Sequence, residues 1–358
     1  MTHPRLSLVL DAPDVLPPEG RIALFRPLAD TDLSDLPRER LHAIQGFRPD
    51  HDALAARGIA TSARAEGPYA AAVVFVPRAK AEARALVAEA MASVVPGGPV
   101  WIDGLKTDGI DSLLKELRAR VPVSEPLAKA HGKIFRLTAD PEALADWAGR
   151  EQTPAEGFVT LPGTFSADAI DRGSALLAAC LPETLPARVA DLGAGWGWLS
   201  AQILAKPGVE RLDLVEAEAA ALDCARRNVT DPRARFHWAD ALRWSSDERY
   251  GAVVMNPPFH TGRAADPALG AAFIRAAGGM LSLSGTLWMV ANRHLPYDEV
   301  LRAAFHEVEE LTLPGGRDGV FRLIRASKPI VGAAARAAAA PVATRPATRP
   351  ASGPRKRR

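Results

Sequence analysis

Apolar residues in this chain fall into two kinds of run. Short continuous runs closed by Pro, Gly or an acidic residue read as buried strands. Runs with apolar positions three and four apart read as helices. In the first 150 residues the strand-like runs are 21–25, 70–76, 99–102 and 133–137. Between them, 80–95 places Ala83, Val87, Ala90, Met91 and Val94 on one helical face and stops at Pro96. A second helix is predicted over 109–121, with Ile110, Leu113, Leu114 and Leu117 on one face. Strand and helix alternate, which predicts a mostly parallel sheet covered by helices.

The same alternation returns, more strongly, after residue 160. Ser166 is a candidate N-cap for a helix carrying Ile170, Leu177, Cys180 and Leu181 on one face. Phe165, just before it, reads either as a hydrophobic staple on that helix or as the lining of a site. Strands are expected over 188–191, 211–215, 234–238, 250–255 and 285–291, with helices after each of the first two and over 271–283 and 298–305. A closing hairpin is expected near 308–313 and 320–325.

Length and composition add bounds. A chain of 358 residues with 47% apolar content predicts two globular domains. It contains no run of 18 apolar residues and its start lacks the pattern of a signal peptide, so a cytoplasmic protein without a membrane span is expected. Cys180 and Cys224 stand far apart without metal-ligand spacing, so no metal is expected. Residues 326–358 carry eight basic side chains and no acid; taking these from the net charge of +2 leaves −6 for the rest. The Ala/Pro/Arg-rich residues 327–358 are therefore expected to be a disordered basic tail, which reads either as solubilising or, the favoured reading, as suited to phosphate contacts.

Three acidic or amide residues end the central strands of the second half. Asp191 opens Asp-Leu-Gly-Ala-Gly-Trp-Gly, where Gly193, Ala194, Gly195 and Gly197 form a turn between a strand and a helix. Such a turn lets a ligand approach bare backbone N–H groups. It is not the nicotinamide fingerprint, whose third glycine falls on Trp198. Glu216 ends the next strand, at the interval of roughly 20 residues where a carboxylate suits vicinal ribose hydroxyls. Asp240 follows the third strand and reads equally as an N-cap. The strongest signal is the strand 250–255 running into Asn256-Pro257-Pro258-Phe259. Two prolines hold an extended, rigid loop. The Asn256 amide oxygen and the Pro257 carbonyl can then hold the hydrogens of a planar amine, with the Phe259 ring beneath its base.

The glycine turn resembles that of class I S-adenosylmethionine-dependent methyltransferases. LPGTFSADAIDRGSALL, ADLGAGWG, NPPFHTG and VANRHLPYDEVL stand in the order seen in the ribosomal RNA small subunit methyltransferase C family. That resemblance covers most of residues 20–326 and is more specific in the second half. It implies two tandem Rossmann-like methyltransferase folds. Residues 1–150 would be degenerate and without a cofactor site. Residues 151–326 would hold a seven-stranded, mostly parallel sheet with one antiparallel strand, followed by the tail 327–358. The implied cofactor is S-adenosylmethionine, held by Asp191, Gly193, Ala194, Gly195, Gly197, Glu216, Asp240 and Asn256. Asn256, Pro257 and Phe259 would be catalytic, with Phe165 and Pro258 as substrate contacts. The implied partner is 16S rRNA in the small ribosomal subunit, and the enzyme is expected to act as a monomer. The alternatives are the 23S guanine-N2 relative, a release-factor glutamine or adenine-N6 methyltransferase, and a non-catalytic assembly factor that binds rRNA.

Overall fold

The structure is a computed structural model, and it describes residues 4–10, 15–258, 260–261, 264–312, 316 and 318–330. After the short helix α1 (Pro4–Leu10), the first domain contains seven strands. They are β1 (Ile22–Phe25), β2 (Leu41–Ile44), β3 (Ala60–Ser62), β4 (Ala71–Phe75), β5 (Pro99–Leu105), β6 (Leu127–Lys129) and β7 (Gly132–Thr138). Helices α2 (Arg48–Ala56), α3 (Lys80–Ser93) and α4 (Ile110–Arg118) connect them. The sheet order is β3-β2-β1-β4-β5-β7-β6, with β7 antiparallel to both neighbours.

The second domain repeats that order strand for strand. Its sheet is built from β8 (Arg188–Leu192), β9 (Arg211–Glu216), β10 (Ala234–Trp238) and β11 (Tyr250–Met255). Two antiparallel strands of two residues each, β12 (His260–Thr261) and β13 (Ala264–Ala265), stand outside the sheet. The sheet then adds β14 (Leu281–Asn292), β15 (Phe305–Glu310) and β16 (Phe321–Pro329). Its order is β10-β9-β8-β11-β14-β16-β15, and β16 is the one antiparallel strand. The helices are α5 (Arg172–Cys180), α6 (Trp198–Leu204), α7 (Ala219–Asn228), α8 (Pro267–Met280) and α9 (Asp298–Ala304).

The central strands are apolar on both faces because helices cover both. Residues 252–255 of β11 are fully buried, with Val253 and Met255 in one core and Ala252 and Val254 in the other. The tandem α/β architecture is thus the expected one, and the closing antiparallel strand runs to Pro329. Residues 327–329 therefore belong to the sheet, where Ser327 pairs with Thr286 and Glu307, rather than to a tail. Residues 331–358 lie outside the described residues.

Three elements between Leu41 and Ser62 were not anticipated. β2 is only four residues long, and α2 buries a single residue, Leu54, so neither leaves a clear apolar period. The helix after residue 160 also begins later than expected. Ser166 sits in the left-handed region at φ 50° and its hydroxyl donates to the Ala169 carbonyl. The N-cap is Asp171, whose carboxylate accepts the Ser174 N–H at 2.8 Å.

Candidate active site

β8 and β11 lie side by side at the centre of the second sheet, where the strand order reverses. Ligands of open α/β sheets bind beyond the carboxyl ends of such strands. Asp191 is the penultimate residue of β8, Glu216 the last of the neighbouring β9, and Asn256 directly follows β11.

The turn after β8 has the backbone its glycines permit. Gly193, Gly195 and Gly197 take φ values of 75°, 57° and 89°. A Cβ built on Gly193 or Gly195 would meet no atom within 4 Å, whereas one on Gly197 would press on Val229 and Ala225 at 3.0 and 3.2 Å. The first two glycines therefore face open space, and the third allows α6 to pack on α7. Gly193 to Trp196 line an open cleft of about 410 Å³, together with Phe165, Asp171, Ser174, Trp198 and Asn256.

Asp191 lies beneath this turn and does not line the cleft. It is fully buried, and its Oδ2 accepts the Ser200 hydroxyl at 2.6 Å. Its Oδ1 has no hydrogen-bond partner. Burial pushes the carboxyl up to about 7, against the Ser200 hydrogen bond and with the charge of Glu216 adding to the rise. Glu216 spans the turn: Oε2 accepts the Gly195 N–H at 2.8 Å and Oε1 accepts the Glu218 N–H at 2.7 Å. Burial raises its pKa, and the two N–H groups oppose that rise.

Asn256 is fixed from behind. Its Nδ2 donates to Asp171 Oδ1 at 2.7 Å and to Ser174 Oγ at 2.9 Å. Both amide hydrogens are thereby used on α5, and the amide oxygen is turned to the opposite edge of the group. Pro257 is buried and Pro258 exposed, and Phe259 lies outside the described residues. Asp240 closes a turn, accepting the Leu242 N–H at 2.9 Å.

Phe165 is 57% exposed at the mouth of the cleft, and its carbonyl accepts the Trp196 indole N–H at 2.9 Å. The staple reading fails because α5 starts seven residues later. Trp196 is buried against Phe158, edge to face at 5.6 Å. Asp171 and Ser174 were missed in the sequence. The usable signal was a second capping pattern, Asp171-x-x-Ser174, behind the one at Ser166.

The residues present fit S-adenosylmethionine. A cradle that a Cβ would fill, a buried unpaired carboxylate oxygen beneath it and a strand-end carboxylate across it suit a cationic nucleoside. Among the described residues no cluster of His, Cys, Asp and Glu could hold a metal ion, and no helix is long and apolar enough to cross a membrane.

Sheet order, glycine turn and Asn-Pro-Pro loop together define a class I S-adenosylmethionine-dependent methyltransferase. Comparison with known proteins narrows the class. The family model for the methyltransferase small domain matches residues 156–316. Ribosomal RNA small subunit methyltransferase C of Shewanella oneidensis is 32% identical over 261 residues, covering 70% of this chain and 75% of the relative. The Cronobacter sakazakii protein of the same name is 30% identical over 258 residues, again covering 70% and 75%. Among solved structures, the T. thermophilus 16S rRNA N2 methyltransferase RsmC, in complex with AdoMet and guanosine, superposes with a TM-score of 0.74. That match is 24% identical and covers 91% of this chain and 92% of the other. The chain belongs to the ribosomal RNA small subunit methyltransferase C family.

Proposed function

We propose that this protein methylates the exocyclic N2 amine of a guanine in 16S rRNA, with S-adenosylmethionine as methyl donor. The observation that carries the reading is the fixed orientation of Asn256. An exocyclic amine is a poor nucleophile because its lone pair is delocalised into the ring. Acceptors that hold its two hydrogens leave the lone pair directed out of the plane. The Asn256 amide oxygen and the Pro257 carbonyl are those acceptors, and Asp171 and Ser174 keep the amide from rotating.

When bound, the cofactor supplies an electrophilic methyl group. Glu216 holds its ribose hydroxyls, Asp240 its adenine amine, and the Gly193–Gly197 turn its methionyl end. Asp191 provides negative charge from beneath that turn. Phe259 and the exposed Pro258 and Phe165 offer surfaces for the guanine and its neighbours. The cleft requires no strong general base, because the amine proton becomes acidic on alkylation and leaves to water. In this reading the enzyme acts as a cytoplasmic monomer on the small ribosomal subunit or its RNA. The basic residues toward 358 add phosphate contacts.

The test uses radiolabelled S-adenosylmethionine with small subunits, large subunits and the naked RNA of each, from cells lacking the gene. Label recovered as N2-methylguanosine in 16S RNA is expected, and none with Asn256→Ala. Label in 23S RNA reassigns the substrate. Label in neither, with cofactor bound, returns release factors, DNA and a non-catalytic assembly role.

A further inference from the structure

The two domains meet through equivalent loops. Phe25 pairs with Ile44 in the first domain as Leu192 pairs with Val215 in the second. The next residues, Arg26 and Gly193, are both left-handed, at φ 60° and 75°. Each donates its N–H to the facing strand, to Ile44 and Val215, at 2.9 Å. Gln45 is accordingly the counterpart of Glu216. The match extends to the side chains, since Gln45 Oε1 accepts the Phe47 N–H as Glu216 Oε1 accepts the Glu218 N–H. Phe47 and Glu218 cap α2 and α7, and these two residues pair with each other in an antiparallel bridge. The Arg48 N–H reaches the Ala217 carbonyl at 2.8 Å, and the Ala219 N–H reaches Gly46 at 2.9 Å. A local two-fold relation thus sets the first domain's counterpart loop against the ribose-side loop of the working site.

Arg26 locks this junction. It stands where the second domain has the first glycine of its turn. Its Nη1 lies 2.9 and 3.1 Å from the two Glu218 oxygens and 3.3 Å from Gln45 Oε1, and its Nη2 lies 3.0 Å from Glu82. All three charged side chains are at least three-quarters buried. A Cβ on Gly46 would fall 2.6 Å from Glu218 Oε1, so a larger residue there would displace the carboxylate that Arg26 holds. Trp238 braces the same junction, donating to the carbonyls of Gly46 and Ala217 at 3.0 and 2.9 Å beneath the Arg48 guanidinium.

From these contacts we infer that Arg26, in the first domain, is a positioning residue for cofactor binding in the second. Arg26 holds the Glu218 carboxylate, the Glu218 N–H holds Glu216 Oε1, and Glu216 Oε2 holds the Gly195 N–H. Without the guanidinium, Glu218 is a buried carboxylate left beside Glu216, and the loop carrying both is pushed from its place. The inference rests on the reading of Glu216 as the ribose carboxylate.

The experiment measures cofactor affinity in the full-length chain by calorimetry, with thermal unfolding and saturating-cofactor turnover alongside. Arg26→Met is expected to weaken S-adenosylmethionine binding about tenfold, a coupling typical of neighbours in one network. Turnover at saturating cofactor should stay within about twofold, so the effect appears in KM rather than kcat. Arg26→Lys should lose less, and Arg26→Met/Glu218→Gln should recover much of the loss by removing the stranded charge. If Arg26→Met does not fold, Arg26→Lys carries the test, with a several-fold loss expected. Wild-type affinity in either folded variant overturns the inference, as does a loss that Glu218→Gln leaves unrecovered. Glu216→Ala separates the two levels. Unchanged affinity there defeats the ribose reading itself, whereas weakened affinity there with none in Arg26→Met defeats only the role of Arg26.

Discussion

Nδ2 of Asn256 lies 2.7 Å from Oδ1 of Asp171, the same oxygen that accepts the Ser174 N–H and caps α5. One carboxylate thus begins a helix and fixes the amide that we propose faces the substrate. Asp171→Ala should cost about 1 kcal/mol as a lost cap. Its larger effect should be on the chemical step, since a freed amide can rotate its oxygen out of place. We expect the single-turnover rate to fall about 10²-fold, as for loss of a donor or acceptor used in the transition state. Asn256→Ala should fall at least as far with cofactor affinity retained. The double variant should be no slower than Asn256→Ala, because the two residues act as one unit. Multiplicative losses would separate Asp171 from the mechanism.

Glu216→Ala should act on affinity rather than rate. Its carboxylate meets backbone N–H groups of Gly195 and Glu218 across the turn. Losing it removes the proposed partner of the ribose and loosens the turn together. Calorimetry should show S-adenosylmethionine bound about tenfold or more weakly, the scale of one or two charge-assisted hydrogen bonds. Turnover at saturating cofactor should change less. Equal affinity in the two proteins would remove Glu216 from the cofactor site.

The three glycines of the turn should separate by function. Gly195→Ala puts a methyl group into the open cradle at φ 57°, where an L residue costs roughly 1–2 kcal/mol. The protein should fold and bind cofactor poorly. Gly197→Ala meets the same backbone cost and also presses on Ala225 and Val229. Its melting temperature should fall further than that of Gly195→Ala. The reverse ranking in thermal unfolding would contradict the packing around α6.

How far the chain could be read without coordinates follows from where its information is local. Asp191, Glu216 and Asn256 each stand at or next to the end of a strand rich in aliphatic residues, so one stretch of sequence contains both the element and the residue it presents. Asp171 was hidden because Ser166, five residues earlier, satisfies the same capping rule, and only the left-handed backbone at Ser166 decides between them. β2 and α2 escaped because their burial comes from the surrounding sheet and leaves little apolar periodicity. Arg26 stands where the second domain has the first glycine of its turn. Its partner Glu218 lies 192 positions away, and no local pattern joins them.

Asp191 makes the site sensitive to pH, and the sign can be worked out. Burial disfavours the charged form and pushes its carboxyl up to about 7 in the folded protein, from an ordinary value of 3.8. Between those values the unfolded chain is ionised and the folded one retains its proton, so stability falls as pH rises from about 4 to about 7 and levels off above. Asp191→Asn keeps an acceptor for Ser200 and removes the charge. It should therefore be more stable than the parent above pH 7, by at most about 4 kcal/mol, and equal to it near pH 4. Binding should run the other way. A ligand carrying positive charge favours the ionised carboxylate, so parent affinity should rise as pH increases through 7, with a proton released on binding. Calorimetry in buffers of different ionisation enthalpy measures that proton, and Asp191→Asn is the control that corrects for the ligand's own amine. A parent that releases no more protons than Asp191→Asn at pH 6.5 would show that Asp191 is already charged in the free protein, and that its buried, unpaired oxygen serves the turn alone.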